Sequence, residues 1–276
     1  MQRLLLGLIF LLAVACVNEQ QSSTISIPTN VIPQSNDGTI PLRWDTANLP
    51  LSMKVGDTFS ASAAQAIETM KLEWNQSGAA ATFFTPNTPT TTNKTYASLN
   101  TFFDSELGIY LIDDWYSEIG SSALAVTQFF AARRNVGTVN EYMEIVHADI
   151  LFNADFSFST TGVMGSYDMA SVALHELGHV LGLKHESTTT SIMYPYLGAG
   201  VIHRELQSID KTHISELYGA AQANAAMTIS MEALETVPAE EGAIVRGLVE
   251  LLPNESERIT LKATALRLPQ KKKHNH

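Results

Sequence analysis

A chain of 276 residues, 45% hydrophobic and 16% charged, is long enough for one or two globular domains with a sizeable core and no covalent staples. Its formal charge of −11 argues against a nucleic-acid groove, which needs clustered Lys and Arg, and against broad adhesion to anionic lipid. The single cysteine, Cys16, excludes an intramolecular disulfide.

Met1 to Arg3 makes a short basic start, followed by about eleven apolar residues from Leu4 to Val14, against the roughly 20 that span a bilayer. Small residues then precede Cys16, so residues 1–15 have the layout of a secretory signal. Ala13-Val14-Ala15-Cys16 also resembles a bacterial lipobox, which implies cleavage before Cys16 and acylation of the new terminus. A plain signal peptide with an incidental cysteine is the other reading. The expected location is the cell envelope, anchored to the membrane by lipid on Cys16 (the outer membrane of a Gram-negative cell), or secretion. Residues 16–38 are polar and turn-rich, with Pro28, Pro33 and Asp37-Gly38, and read as a lipidated tether too short for a folded propeptide.

A first strand is predicted near Ile40–Trp44, then a helix from about Ser62 to Gln76 with Ala63, Ile67, Met70 and Trp74 on one face. Residues 85–95 are a Thr/Asn/Pro loop. Leu107–Ile112, Ala123–Thr127 and Glu144–Phe152 read as strands. A helix capped by Asp168 carries Val172, Leu174, Leu177, Val180 and Leu181, and a last one runs from about Ser208 to Tyr218, stopped by Gly219. Strands bracketed by helices suggest an α+β or three-layer domain over residues 39–220. Residues 221–276 form a C-terminal extension of unknown role. Within it Ala243–Leu252 and Arg258–Leu268 read as a β-hairpin packed on the main domain or a small appendage. Lys271–Lys273, His274 and His276 read as a solvated tail.

The chemistry lies in His175-Glu176-Leu177-Gly178-His179-Val180-Leu181-Gly182-Leu183-Lys184-His185. Residues four apart share a helix face, so His175 and His179 can grip one ion. Zinc favours such nitrogen donors, and a catalytic site keeps one position open for water. His185 cannot converge on the same ion from a continuous helix. Gly182 supplies the break, because glycine takes the left-handed conformation that ends a helix and lets the chain double back. Glu176 is placed to take a proton from the metal's water, whose pKa zinc lowers to about 7, and to hand it to the leaving amine. An amphipathic helix with surface histidines does not explain why three of the chain's eight histidines fall in this one segment.

This segment resembles the extended zinc signature of the metzincin metallopeptidases, and Ser191-Ile192-Met193-Tyr194-Pro195 resembles their Met-turn, with Met193 beneath the metal. Within that clan the chain is most similar to the matrixin family, through Leu42-Arg43-Trp44, Ala148–Asn153 and Leu217-Tyr218-Gly219. The resemblance implies a metzincin-like α+β catalytic domain: a twisted, mostly parallel sheet, an active-site helix below it and a small C-terminal subdomain. It also implies one catalytic Zn2+ on His175, His179 and His185, with Glu176 as base. An edge strand at Ser122–Thr127 is expected to add the extended substrate, so Leu124, Ala125, Val126, Tyr194, Pro195 and Tyr196 are the cleft candidates.

Glu186 follows the third histidine where matrixins usually have Ser and astacins Glu, but Pro195 stands where astacins place a Tyr ligand. Leu151 stands where a structural-zinc histidine is expected, so a second zinc is not predicted. Asp149 reads as support for the sheet in preference to a calcium ligand; calcium is otherwise not argued. His147, His203 and His213 read as surface or locally bonded. The expected function is a zinc endopeptidase acting, as a monomer, on protein or peptide. The alternatives are a non-catalytic zinc-containing adhesion protein and a cell-wall peptide amidohydrolase.

Overall fold

The computed structural model describes residues 41–136, 138, 141–219, 240–255 and 262–266. The signal, Cys16 and tether readings, and the Lys271–Lys273 tail with its histidines, lie outside the described residues. In chain order the strands are β1 Leu42–Arg43, β2 Lys54–Val55, β3 Gly108–Ile112, β4 Ala125–Arg134, β5 Tyr142–Asn153, β6 Phe158–Ser159, β7 Tyr167–Asp168, β8 Ile244–Leu251 and β9 Lys262–Leu266. The α-helices are α1 Ala61–Asn75, α2 Met169–Val180 and α3 Ser208–Tyr218.

The fold is α+β. Among the described residues one sheet has seven strands, in the order β2-β3-β5-β4-β8-β9, with β1 on β5. Its β1, β2, β3 and β5 pairings are parallel, as expected. Pairing turns antiparallel from β5 to β4, β8 and β9, so the whole sheet is mixed. The hairpin read at the C-terminus forms as β8 and β9, and it extends the main sheet rather than standing apart from it.

That pairing corrects one expectation. Residues 122–127 are not an exposed edge: β4 is flanked by β5 on one side and β8 on the other, from Ala125↔Leu251 to Ala132↔Ile244. The same pairing explains why β4 runs beyond Thr127 to Arg134. Gln128 and Arg133 look like the end of a strand, yet both are buried between neighbours.

Apolar side chains cover both faces of the sheet. One core lies between the sheet and the helices, with Ile67, Trp74, Phe152, Leu174, Leu177 and Val249 among its members. The other gathers Leu99, Phe102, Tyr110, Val126, Leu248 and Leu252 beneath the chain from Tyr96 to Ala123. α1 buries Ala63, Ile67, Met70 and Trp74, the face its periodicity predicts, and also Lys71. The Lys71 ammonium is satisfied by Glu68 (2.6 Å), the Met53 carbonyl (2.9 Å) and Thr88 (2.7 Å).

Three segments distant in sequence meet where α2 ends. Trp44 Nε1 donates to the Val180 carbonyl (2.8 Å), and the Tyr218 hydroxyl donates to the Leu181 carbonyl (2.8 Å) while accepting from Trp44 N (3.1 Å). Removing that hydroxyl orphans a buried carbonyl and a buried N–H, at about 1–3 kcal/mol each. Tyr218→Phe is therefore expected to lower the unfolding free energy by about 2–6 kcal/mol, read as a lower urea midpoint at unchanged m-value.

Candidate active site

α2 begins at Asp168, whose Oδ1 accepts from Ser171 N (2.9 Å) and Ser171 Oγ (2.7 Å), closing the first turn. Burial alone would raise this carboxyl, but Arg204, ion-paired with it, and Ser171 hold it below its ordinary value. Every residue of α2 is buried, because the sheet packs on one side of the helix and α1 on the other. Trp74 Nε1 donates to the Leu174 carbonyl (2.9 Å), fixing α2 against α1 one residue before the first histidine.

The helix stops as the glycine requires. Gly182 has φ +95°, its N–H donates to the His179 carbonyl (2.9 Å), and Leu183 N donates to the Gly178 carbonyl (3.0 Å). These are the paired bonds of a Schellman end. A β-carbon at Gly182 would lie 2.3 Å from the Leu42 carbonyl oxygen, so β1 closes around the turn that only glycine fits. The chain then brings His185 back to the other two rings.

Ring centroids stand 4.6 Å apart for His175–His179, 4.8 Å for His179–His185 and 5.3 Å for His175–His185. One ligand atom from each lies within 4.8 Å of the others, and Nε2 of His175 and of His179 approach to 2.9 Å. His175 Nδ1 faces the Ile192 carbonyl (2.7 Å) and His179 Nδ1 the Leu183 carbonyl (2.7 Å). A carbonyl only accepts, so both Nδ1 atoms carry hydrogen and both Nε2 lone pairs point inward. The His185 ring bonds to the Glu250 backbone, and its Nε2 is buried without a partner. Burial lowers His175 to about 4 and takes His179 and His185 well below the ordinary imidazole value, so all three rings are neutral. Three neutral imidazoles with convergent lone pairs fit zinc.

Glu176, which follows the first of these histidines, is 0% exposed. The Thr127 hydroxyl lies 2.5 Å from its Oε2 and 3.0 Å from its backbone carbonyl, while Oε1 has no partner. Burial pushes this carboxyl up to about 8 against the pull of Thr127, and the Glu250 carboxylate adds to the rise.

Met193 is buried against the middle of α2. A β-carbon at Gly178 would meet its sulfur at 2.4 Å, so the missing side chain of Gly178 makes the room for it. The turn is clamped from α3: Asp210 accepts from Ser191 Oγ (2.5 Å) and Ile192 N (3.1 Å), and Ile192 in turn supports His175. Glu186 N donates to the Met193 carbonyl (2.8 Å), and its carboxylate accepts from Ser187 N (2.7 Å), closing the loop after His185.

The cleft candidates lie together, with the chain's own C-terminal strand between them. Leu124 N donates to the Leu251 carbonyl, and Tyr196 bridges Leu252. Tyr194 turns its hydroxyl to Glu255 (2.5 Å). Asp149 supports the sheet by accepting from Gly108 N (2.9 Å) and pairing with His147 Nε2 (2.7 Å). His213 lies 3.9 Å from Glu186.

Thr127 and Asp210 escaped the sequence reading. Asp210 carried a faint signal as the third helical residue after Gln207, whose N–H it accepts (2.9 Å). Thr127 carried none, because its role depends on β4 crossing α2.

The model of the matrixin family matches residues 130–219, from the middle of β4 through α3. Over those residues the chain is matrixin-like. It is 45% identical over 62 residues to metalloendoproteinase 2-MMP of Arabidopsis thaliana, covering 22% of this chain and 16% of that one. It is 37% identical over 68 residues to karilysin of Tannerella forsythia, covering 25% and 14%, and 33% identical over 109 residues to matrix metalloproteinase-21 of Cynops pyrrhogaster, covering 37% and 18%. The matrixin-like match thus spans less than a fifth of these relatives' own lengths.

Proposed function

We propose that the chain is a zinc-dependent endopeptidase, with His175, His179 and His185 holding the metal and Glu176 as general base. The reading rests on one observation: three inward-facing, neutral imidazoles, two of them on the helix that also carries a buried glutamate with one unpartnered oxygen. Zinc, when bound, polarises the scissile carbonyl and acidifies water at the site. Glu176 Oε1 takes the proton from the attacking water and returns it to the leaving amide nitrogen, while Thr127 holds Oε2 and fixes the carboxylate plane. The Ile192 and Leu183 carbonyls keep two rings in the correct tautomer through turnover. The relatives named as metalloendoproteinases support a protein or peptide substrate.

We further propose that residues 1–15 are removed and that lipid on Cys16 anchors the mature chain at the cell envelope. Among the described residues no helix is long and apolar enough to cross a membrane. Denatured casein incubated with purified chain is expected to be cut at internal bonds, as mass spectrometry of the fragments reads. Phenanthroline should abolish cleavage and stoichiometric zinc should restore it. Cleavage that persists in chelator at zero zinc content contradicts the proposal.

A further inference from the structure

A substrate carbonyl must reach the triad, and its scissile bond must come within reach of Glu176 Oε1. The chain itself occupies that approach. As β8 ends, Leu124 N donates to the Leu251 carbonyl (2.9 Å), Leu252 N donates to the Pro195 carbonyl (3.0 Å) and Leu197 N donates to the Leu252 carbonyl (2.9 Å). Leu251 and Leu252 are therefore strung by main-chain bonds between β4, to which they run antiparallel, and the segment Pro195–Leu197, to which they run parallel. Just before them the Glu250 backbone bonds to the ring of His185, a metal-binding candidate. The Glu250 carboxylate is held by Gly120 N (3.0 Å), and the Val249 and Leu251 side chains pack on the helix side of the sheet. Beneath this segment Glu176 has no exposed surface.

Main-chain bonds of this kind read no sequence, so any extended peptide can make the same set. A base sealed from solvent acts on a substrate in trans only after the segment that covers it gives way. We propose that Val249–Leu252 is an internal, substrate-like occupant of the cleft that keeps the chain latent, and that turnover requires β8 as a whole to part from β4. The proposal rests on the endopeptidase reading and adds to it a class of ligand. The groove takes an extended peptide with aliphatic side chains where Leu251 and Leu252 sit. Because Val245, Val249 and Leu251 are core residues, β8 leaves only when a competing strand replaces it or when the chain is cut.

The test keeps the chain whole. Gln128 faces Leu248 across β4 and β8, and Ala132 faces Ile244. Q128C/L248C and A132C/I244C, each with Cys16 replaced by Ser, fasten β8 to β4 by a disulfide on oxidation. Circular dichroism and zinc content are checked first, and the two pairs are independent should one misfold. Hydrolysis of denatured casein is expected to fall at least tenfold on oxidation, at constant zinc, and to return on reduction. Equal turnover in the two states overturns latency and leaves the endopeptidase reading standing. If both states are silent, Leu251→Asp decides, since a carboxylate in that apolar seat expels the strand. Turnover gained by Leu251→Asp supports the plug, whereas silence with one zinc bound ends the endopeptidase reading and the latency proposal together.

Discussion

Glu176→Gln is expected to lower kcat/KM on a peptide substrate by about 10²–10⁴-fold, the range that a positioned general base contributes. The amide has nearly the same size and can still accept from Thr127 at Oε1, so packing and the triad are undisturbed. What it loses is the capacity to carry a proton between water and leaving nitrogen. Zinc content and thermal midpoint should therefore match the parent chain. A variant that retains full turnover would assign the proton to another group. One that loses zinc as well would make Glu176 a structural residue.

Gly182→Ala is the second large effect, and it acts through the metal. At φ +95° a β-carbon costs about 1–2 kcal/mol in the backbone alone. Its position 2.3 Å from the Leu42 carbonyl oxygen then forces either β1 or the turn to move, and the turn carries His185. Zinc affinity is expected to fall about 10–100-fold, the size of effect seen when a ligand loses its support. Gly165→Ala is the control: φ is +83° there, but nothing lies within 4 Å of the added carbon. It should show the backbone cost with zinc affinity unchanged. Competition against a chromogenic chelator measures both.

Legibility in the sequence followed the range of the interaction. The triad was readable because two ligands lie one helical turn apart and the third follows a glycine that permits a single kind of break. The helix boundaries were readable for the same reason, since Asp168 and Gly219 act on their neighbours. Lys71 was not, because it lies among the apolar positions Ile67, Met70 and Trp74, and of the groups that satisfy it only Glu68 is near in sequence, while Met53 and Thr88 are distant. Least readable was the pairing of β8 with β4. Alternation marks a strand and the face it buries, but it carries no address for the partner, and more than a hundred residues intervene between Thr127 and Val249. The sheet edge that the family resemblance implied at residues 122–127 is thus an interior strand.

X-ray absorption at the zinc edge, on protein purified without added chelator, tests the central claim most directly. One zinc per chain with three imidazole nitrogens in its shell is the predicted result, falling to no bound zinc in His179→Ala. A chain with no stoichiometric zinc, or a shell that keeps its three nitrogens when His179 is removed, contradicts it.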